Sequence, residues 1–301
     1  MKKILILISF LVIFSSVNSQ QMPFFSQYTL NHYAINPAAT GINDELPVAF
    51  SYRKQWASFP QSPSVEYLSG HMKVYKAMGA GAKITNYIAG PLRKTGLELT
   101  YSYHFVLKEG VNLSLGLSPL LYQFHLDKSD MNIENKDDAV FMGNEKMFVI
   151  DAIFGTYLYG ENYFAGFSVP QLFNRNVDLK SDKILQEKQV RHYYLHGGYK
   201  FKINGDYTIE PSLLFKIMES GLYQIDINAM AEYKKMVSLG LSYRTHDAIV
   251  IQVSYKYKEF QIGYSYDITT SDLNVASSGS HEIILIYNFP NFLVKADTYK
   301  K

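Results

Sequence analysis

The sequence contains no cysteine. A disulfide framework, a thiolate metal site, a thiol nucleophile and a lipidated cysteine are all excluded. Charge of one sign is also missing: the formal net charge is +2, with no basic run or tail. Nothing points to nucleic acid as a partner. No apolar run reaches the ~20 residues that a membrane-spanning helix needs. Tryptophan occurs once, at Trp56, whereas Tyr and Phe number 25 and 19. Settings for chemistry are equally scarce. No Gly-x-Ser-x-Gly elbow surrounds a serine, so a Ser–His–Asp triad has no support. Gly79 and Gly81 in "GAGAK" lead into strand-like sequence, the wrong context for a phosphate-binding loop. No cofactor and no catalytic residue is implied.

What is present begins with a leader. "MKK" gives a basic start, "ILILISFLVIF" an apolar stretch, and "SSVNSQ" places Val17 and Ser19 before a cut near Gln20. This reads as a signal peptide over residues 1–19 and an exported mature protein.

The rest of the chain alternates with period 2. In "AIVIQVSYKY", Ile249, Ile251, Val253, Tyr255 and Tyr257 share one face, against Gln252, Ser254 and Lys256. In "GLELTYSYHFVL", Leu97, Leu99, Tyr101, Tyr103 and Phe105 oppose Glu98, Thr100, Ser102 and His104. The same alternation predicts strands near 47–54, 65–75, 78–88, 95–107, 111–124, 147–158, 162–169, 191–202, 207–217, 222–233, 236–244, 248–257, 259–267 and 281–289. A soluble two-sheet protein would alternate too. Two features favour a membrane barrel: tyrosines gather toward the ends of the apolar parity, and connections alternate between tight turns and long loops. The fold class is therefore all-β, an outer-membrane β-barrel of about fourteen antiparallel strands over 47–289, with outer-membrane lipids against its apolar face. A non-strand segment, 20–46, precedes it, and a tail, 290–301, follows. Glu98, His104, Glu210, Lys216, Asp226 and Glu232 fall on the lumen parity.

Three further features have plain readings. The acidic stretch containing Asp127, Asp130, Glu134, Asp137 and Asp138 lacks the spacing of a calcium loop and reads as a solvated outer loop. His192 and His196 share a strand face but stand ~13 Å apart, too far to bind one metal. Glycines inside strands (Gly116, Gly155, Gly166, Gly197, Gly198, Gly240 and Gly263) read first as sites of curvature, with close packing against an inserted peptide as the alternative.

An ordered set of motifs carries a resemblance. "FSQY" at 25–28 is followed by "INPAATG" at 35–41 and by "YRKQWASF" at 52–59. "GAGAKITNYIAGPLRKTGLELTYSYHF" at 79–105 comes next, then Asp151, Gly155, Tyr157, Gly166, Ser168, Pro170 and Leu172 in a later block. In this the chain resembles the PorP/SprF family of outer-membrane proteins of the type IX secretion and gliding-motility machinery of Bacteroidetes. Thr40, where the family favours an aromatic residue before the glycine, and the Lys-rich tail are departures. The resemblance implies a non-enzymatic barrel. It would bind secreted cargo through a C-terminal sorting domain, or other secretion and motility components, to support secretion or surface attachment. A general diffusion porin and, more remotely, a lipid-modifying enzyme are the alternatives.

The candidate site follows from the motifs that are not strand-like: Phe25, Gln27, Tyr28, Asn36, Pro37 and Gly41, with Arg53 and Trp56. Pro37 blocks a ladder hydrogen bond and biases Asn36 to an extended backbone. Residues 24–41 are read as a partial plug folded into or across the periplasmic mouth, contacting the lumen or a partner; a disordered tether is the alternative.

Overall fold

The computed structural model describes residues 25–127, 145–174, 176–178, 186–188, 190–275, 277–291 and 293. The leader, most of the acidic stretch and most of the tail lie outside them. The strands are β1 (Glu45–Lys54), β2 (Ser64–Tyr75), β3 (Met78–Ala89), β4 (Leu92–Lys108), β5 (Val111–Leu126), β6 (Glu145–Tyr159), β7 (Tyr163–Val169), β8 (Asn176–Asp178), β9 (Gln186–Lys188), β10 (His192–Tyr199), β11 (Phe201–Lys202), β12 (Tyr207–Met218), β13 (Tyr223–Tyr233), β14 (Val237–Arg244), β15 (Ala248–Tyr257), β16 (Phe260–Thr269) and β17 (Ser280–Pro290).

Fifteen of these share one sheet; β8 and β9 form a separate hairpin within the connection from β7 to β10. β10 and β11 are one stave interrupted at Lys200, so the sheet has fourteen staves. Each pairs antiparallel with its neighbours, β1 with β17 and β10 with β12, and the ring closes. Closure satisfies every ladder and leaves no edge, as a sheet in lipid requires.

The alternation sorts the side chains as the sequence predicts. Leu97, Leu99, Tyr101, Tyr103 and Phe105 of β4 are exposed on the outer wall, while Glu98, Thr100, Ser102 and His104 are buried inside. β15 repeats this, with Ile251 and Val253 outside and Gln252 and Ser254 inside. A soluble sandwich would have the opposite arrangement. Exposed Tyr75, Tyr207, Tyr233, Tyr257, Phe260 and Tyr287 ring the end that carries the tight turns. That end is periplasmic in barrels of this type, and the long loops are external. Lumen polarity is uneven. On β5, buried Ser114 and Ser118 give way to buried Leu120, Tyr122, Phe124 and Leu126 toward the long-loop end, which form an apolar cluster with Val149 and Ile153 of β6.

Candidate functional site: the occupied lumen

Residues 25–41 lie inside the barrel as three short 3-10 turns, Ser26–Thr29, His32–Ala34 and Pro37–Ala39. The backbone is not laddered, so side chains on both sides satisfy it. The segment does more than close the tight-turn mouth. It runs from the long-loop half of the lumen to the tight-turn end.

The upper anchor is Ser26. Its N–H donates to Glu282 Oε2 at 2.6 Å and its hydroxyl to Asp267 Oδ2 at 2.8 Å. The same hydroxyl accepts from Arg53 at 2.7 Å and Arg244 at 3.1 Å. Arg53 is itself paired with Asp267 at 2.7 Å and with Glu282 at 3.6 Å. Arg244 pairs with Asp267 at 3.0 Å, Asp226 at 3.3 Å and Asp247 at 3.2 Å, and Lys216 joins Asp226 at 3.4 Å. Arg53, Arg244 and Asp267 lie close to the long-loop ends of their strands. Pairing of this density is what makes buried charge tolerable.

From there the segment reaches around the wall. Gln27 donates to the Glu282 carbonyl at 3.1 Å, and the Tyr28 hydroxyl accepts from Asn228 at 2.8 Å. Phe25 packs edge-on against Tyr67. Tyr28 and Ile35 cluster with Tyr194 and Leu214. Thr29 donates to Gln252, and Asn31 to Tyr67 and Ser69. His32 meets the Tyr157 hydroxyl at 2.7 Å. Tyr33 meets Thr100 at 2.7 Å, and Lys83, paired with Glu98, donates to the Ala34 carbonyl.

The "NPAA" motif has a local logic. Asn36 caps the third turn, its Oδ1 accepting from Ala38 N–H at 2.9 Å, and Pro37 stands where no N–H is needed. The Asn36 amide donates outward to the Thr156 and Phe167 carbonyls, at 3.0 and 3.3 Å, and its nitrogen stands 3.1 Å from His196 Nε2. Ala38 and Ala39 are small because the wall is close: a Cβ at Gly116 would overlap Ala38 N, and one at Gly155 would overlap Asn36 Oδ1. At the lower end Thr40 O accepts from Ser102 at 2.8 Å, and Gly41, at φ +71°, passes close to Met72 and Gly79. A residue with a Cβ there would be strained and would meet backbone. Taken together, the segment touches every one of the fourteen staves, β10–β11 through His196 and β5 through Gly116. It is a septum. About 400 Å³ of polar space lies on its tight-turn side, lined by His71, Tyr159, Lys200 and Lys256. A smaller, mainly apolar space of about 80 Å³ lies on the other side.

Of the residues singled out by sequence, Phe25, Gln27, Tyr28, Asn36, Pro37, Gly41 and Arg53 converge in the lumen. Trp56 does not. It sits in the 55–63 loop at the long-loop end with φ 48°, its N–H donating to Ser280 Oγ, while Ala57 and Ser58 tie that loop to residues 278 and 279. His192 and His196 face inward with separate partners, Gln171 and Asn36. Sequence reasoning missed Asp267, Glu282 and Arg244 as anchor residues. It also ranked curvature first for the glycines; Gly116, Gly155, Gly166 and Gly263 instead stand against Ala38, Asn36 and Gln27. Gly198 and Gly240 face the barrel's own side chains, and Gly197 faces the backbone of Phe164 and Ala165. Inward parity was the available signal, but Gly198 and Gly240 share it, so parity alone does not single out the four.

Comparison with known proteins gives one specific match. The family described as "Type IX secretion system membrane protein PorP/SprF" matches residues 17–287. No curated protein matches the sequence. Among solved structures, the chain is similar to a Pseudomonas aeruginosa FadL homologue at 10% identity, covering 86% of this chain and 94% of that one with a TM-score of 0.49. It is similar to the Acinetobacter baumannii outer membrane protein Omp33 at 8% identity, covering 83% and 100% with a TM-score of 0.46. It is also similar to the KdgM porin at 12% identity, covering 81% and 99% with a TM-score of 0.37.

Proposed function

The chain belongs to the PorP/SprF family of type IX secretion system membrane proteins, and from that premise we propose that it is a non-enzymatic partner-binding barrel rather than a conducting pore. In this reading it binds secreted cargo through a C-terminal sorting domain, or other components of the secretion and motility machinery, and supports secretion or surface attachment. The observation that carries the reading against a porin is the septum: Ser26, Asn36 and Thr40 bond to opposite sides of the lumen, and small walls at Gly116 and Gly155 seat it. A diffusion pore has no use for a peptide fitted to its own wall. Binding then falls to the two faces of the septum and to the external loops around Trp56.

Affinity purification from mildly solubilised outer membranes, read by mass spectrometry, tests this. Recovery of a sorting-domain protein or a secretion component is expected. Recovery of the barrel alone in several mild detergents, together with stable open currents in planar bilayers, would replace the reading with the porin.

A further inference from the structure

The tight turns repeat a short pattern that strand alternation does not require. Tyr75-Lys76-Ala77-Met78 joins β2 to β3, Tyr233-Lys234-Lys235-Met236 joins β13 to β14, and Tyr257-Lys258-Glu259-Phe260 joins β15 to β16. In each, a tyrosine exposed on the lipid-facing wall precedes a lysine, and an apolar residue resumes the wall after the turn. These turns lie on one side of the barrel, flanking the β17–β1 seam.

The backbone marks the lysines as more than spacers. Lys234, Lys235 and Lys258 have φ of 53°, 55° and 53°. The left-handed region favours Gly or Asn, and the two-lysine turn closed by Met236 N–H to Tyr233 O is of the kind that usually carries Asn-Gly. Lysine at these positions costs turn stability that Asn or Gly would not. Its direction is informative. The Lys234 ammonium stands 5.2 Å from the Tyr233 ring centre and Lys258 5.4 Å from that of Tyr257, so both lean outward over the lipid-facing girdle. Counter-charges are few. Lys234 has Asp206 at 3.9 Å with both groups half-exposed, and Glu259 shares a turn with Lys258. Two other lysines of the same rim are closely paired: Lys202 with Glu161 and Lys73 with Asp44, each at 2.5 Å. The Lys202 ammonium holds the Glu161 carboxyl below the usual carboxylate range.

We propose that these three Tyr-Lys turns form a binding collar for anionic phospholipid headgroups in the inner leaflet of the outer membrane, with the lysines taking the phosphate and the tyrosines fixing its depth. Aromatic rings settle at the headgroup level, and lysines beside an anionic surface each add attraction. An acidic periplasmic protein is the other ligand a lysine rim could take. The outward lean over lipid-facing rings favours lipid, because a protein docking from below would meet ammonium groups directed along the barrel axis.

The test uses the full-length barrel purified in a non-ionic detergent and loaded with phosphatidylglycerol or phosphatidylcholine, read by native mass spectrometry. Wild type is expected to retain phosphatidylglycerol over phosphatidylcholine by about tenfold. A K76Q/K234Q/K235Q/K258Q variant, checked for folding by its heat-modifiable gel mobility, is expected to lose that preference. Excess inorganic phosphate should not displace the lipid. Equal retention of the two lipids by wild type would overturn the proposal. So would an unchanged preference in the variant, or loss of an acidic protein partner from the variant with lipid selectivity intact.

Discussion

Deleting residues 25–41 should convert a closed barrel into an open one, and the scale of the effect follows from the geometry. Fourteen staves spaced ~4.8 Å apart and tilted ~40° close a backbone cylinder about 28 Å across. Inward side chains of about 5–6 Å on each wall leave a bore of roughly 15–18 Å. A single strand of peptide could not fill such a bore, but residues 25–41 cross it in three turns and contact the wall on all sides. Without it, the lumen around Arg53, Arg244, Asp267 and Glu282 fills with water, and these charges regain solvation. The deletion therefore does not strand them in an apolar cavity. Planar-bilayer recordings should show porin-sized current steps for the deletion and a closed baseline for the wild type. A single substitution guards against a folding artefact. Gly116→Leu places side-chain atoms where Ala38 N and Pro37 C now stand, both of them backbone that no rotamer change can move aside. It should dislodge the lower half of the segment and raise open probability. If both variants fold, by heat-modifiable mobility, yet stay as closed as wild type, the septum is not what seals the barrel.

The remaining predictions concern the anchors and the wall. Arg53→Ala leaves Glu282 buried without its cation and Asp267 with Arg244 alone; a loss of about 3–5 kcal/mol is expected, seen as a lower temperature for the folded-to-unfolded gel shift. Asn36→Ala removes the cap and the outward amide contacts. The cap alone is worth about 0.5–2 kcal/mol, and flickering of the closed state in bilayer recordings should increase without full opening. Leu99→Arg on the outer wall should cost about 2–4 kcal/mol and reduce the folded fraction in lipid vesicles. Leu99 is 55% exposed to the surroundings, so the same change in a soluble protein would be nearly silent; tolerance of arginine there would count against a membrane wall.

Much of the barrel was legible because strand alternation is a local code. Each side chain in a strand points to one face or the other, and the solvent on that face selects its polarity. The strand near 191–202 is the instructive exception. It breaks at Lys200 between β10 and β11, which alternation does not register. The motif residues from Phe25 to Gly41 were legible as not being strand, and their polar and aromatic mix suited a lumen. Their path was not legible, since an aperiodic segment held by side chains carries no repeat that fixes its partners.

The sequence by itself determined a closed, lipid-facing sheet, its strand number and its sidedness, because period and loop length are properties of neighbouring residues. Only the tertiary structure decided that the opening segment spans the lumen from Ser26 to Gly41, that Arg53 joins it there while Trp56 stays outside, and that inward glycines are its seat. The physical reason is distance along the chain. Ser26 meets Asp267 and Glu282 across 241 and 256 residues, contacts that exist only once the ring has closed and brought its last strand beside its first.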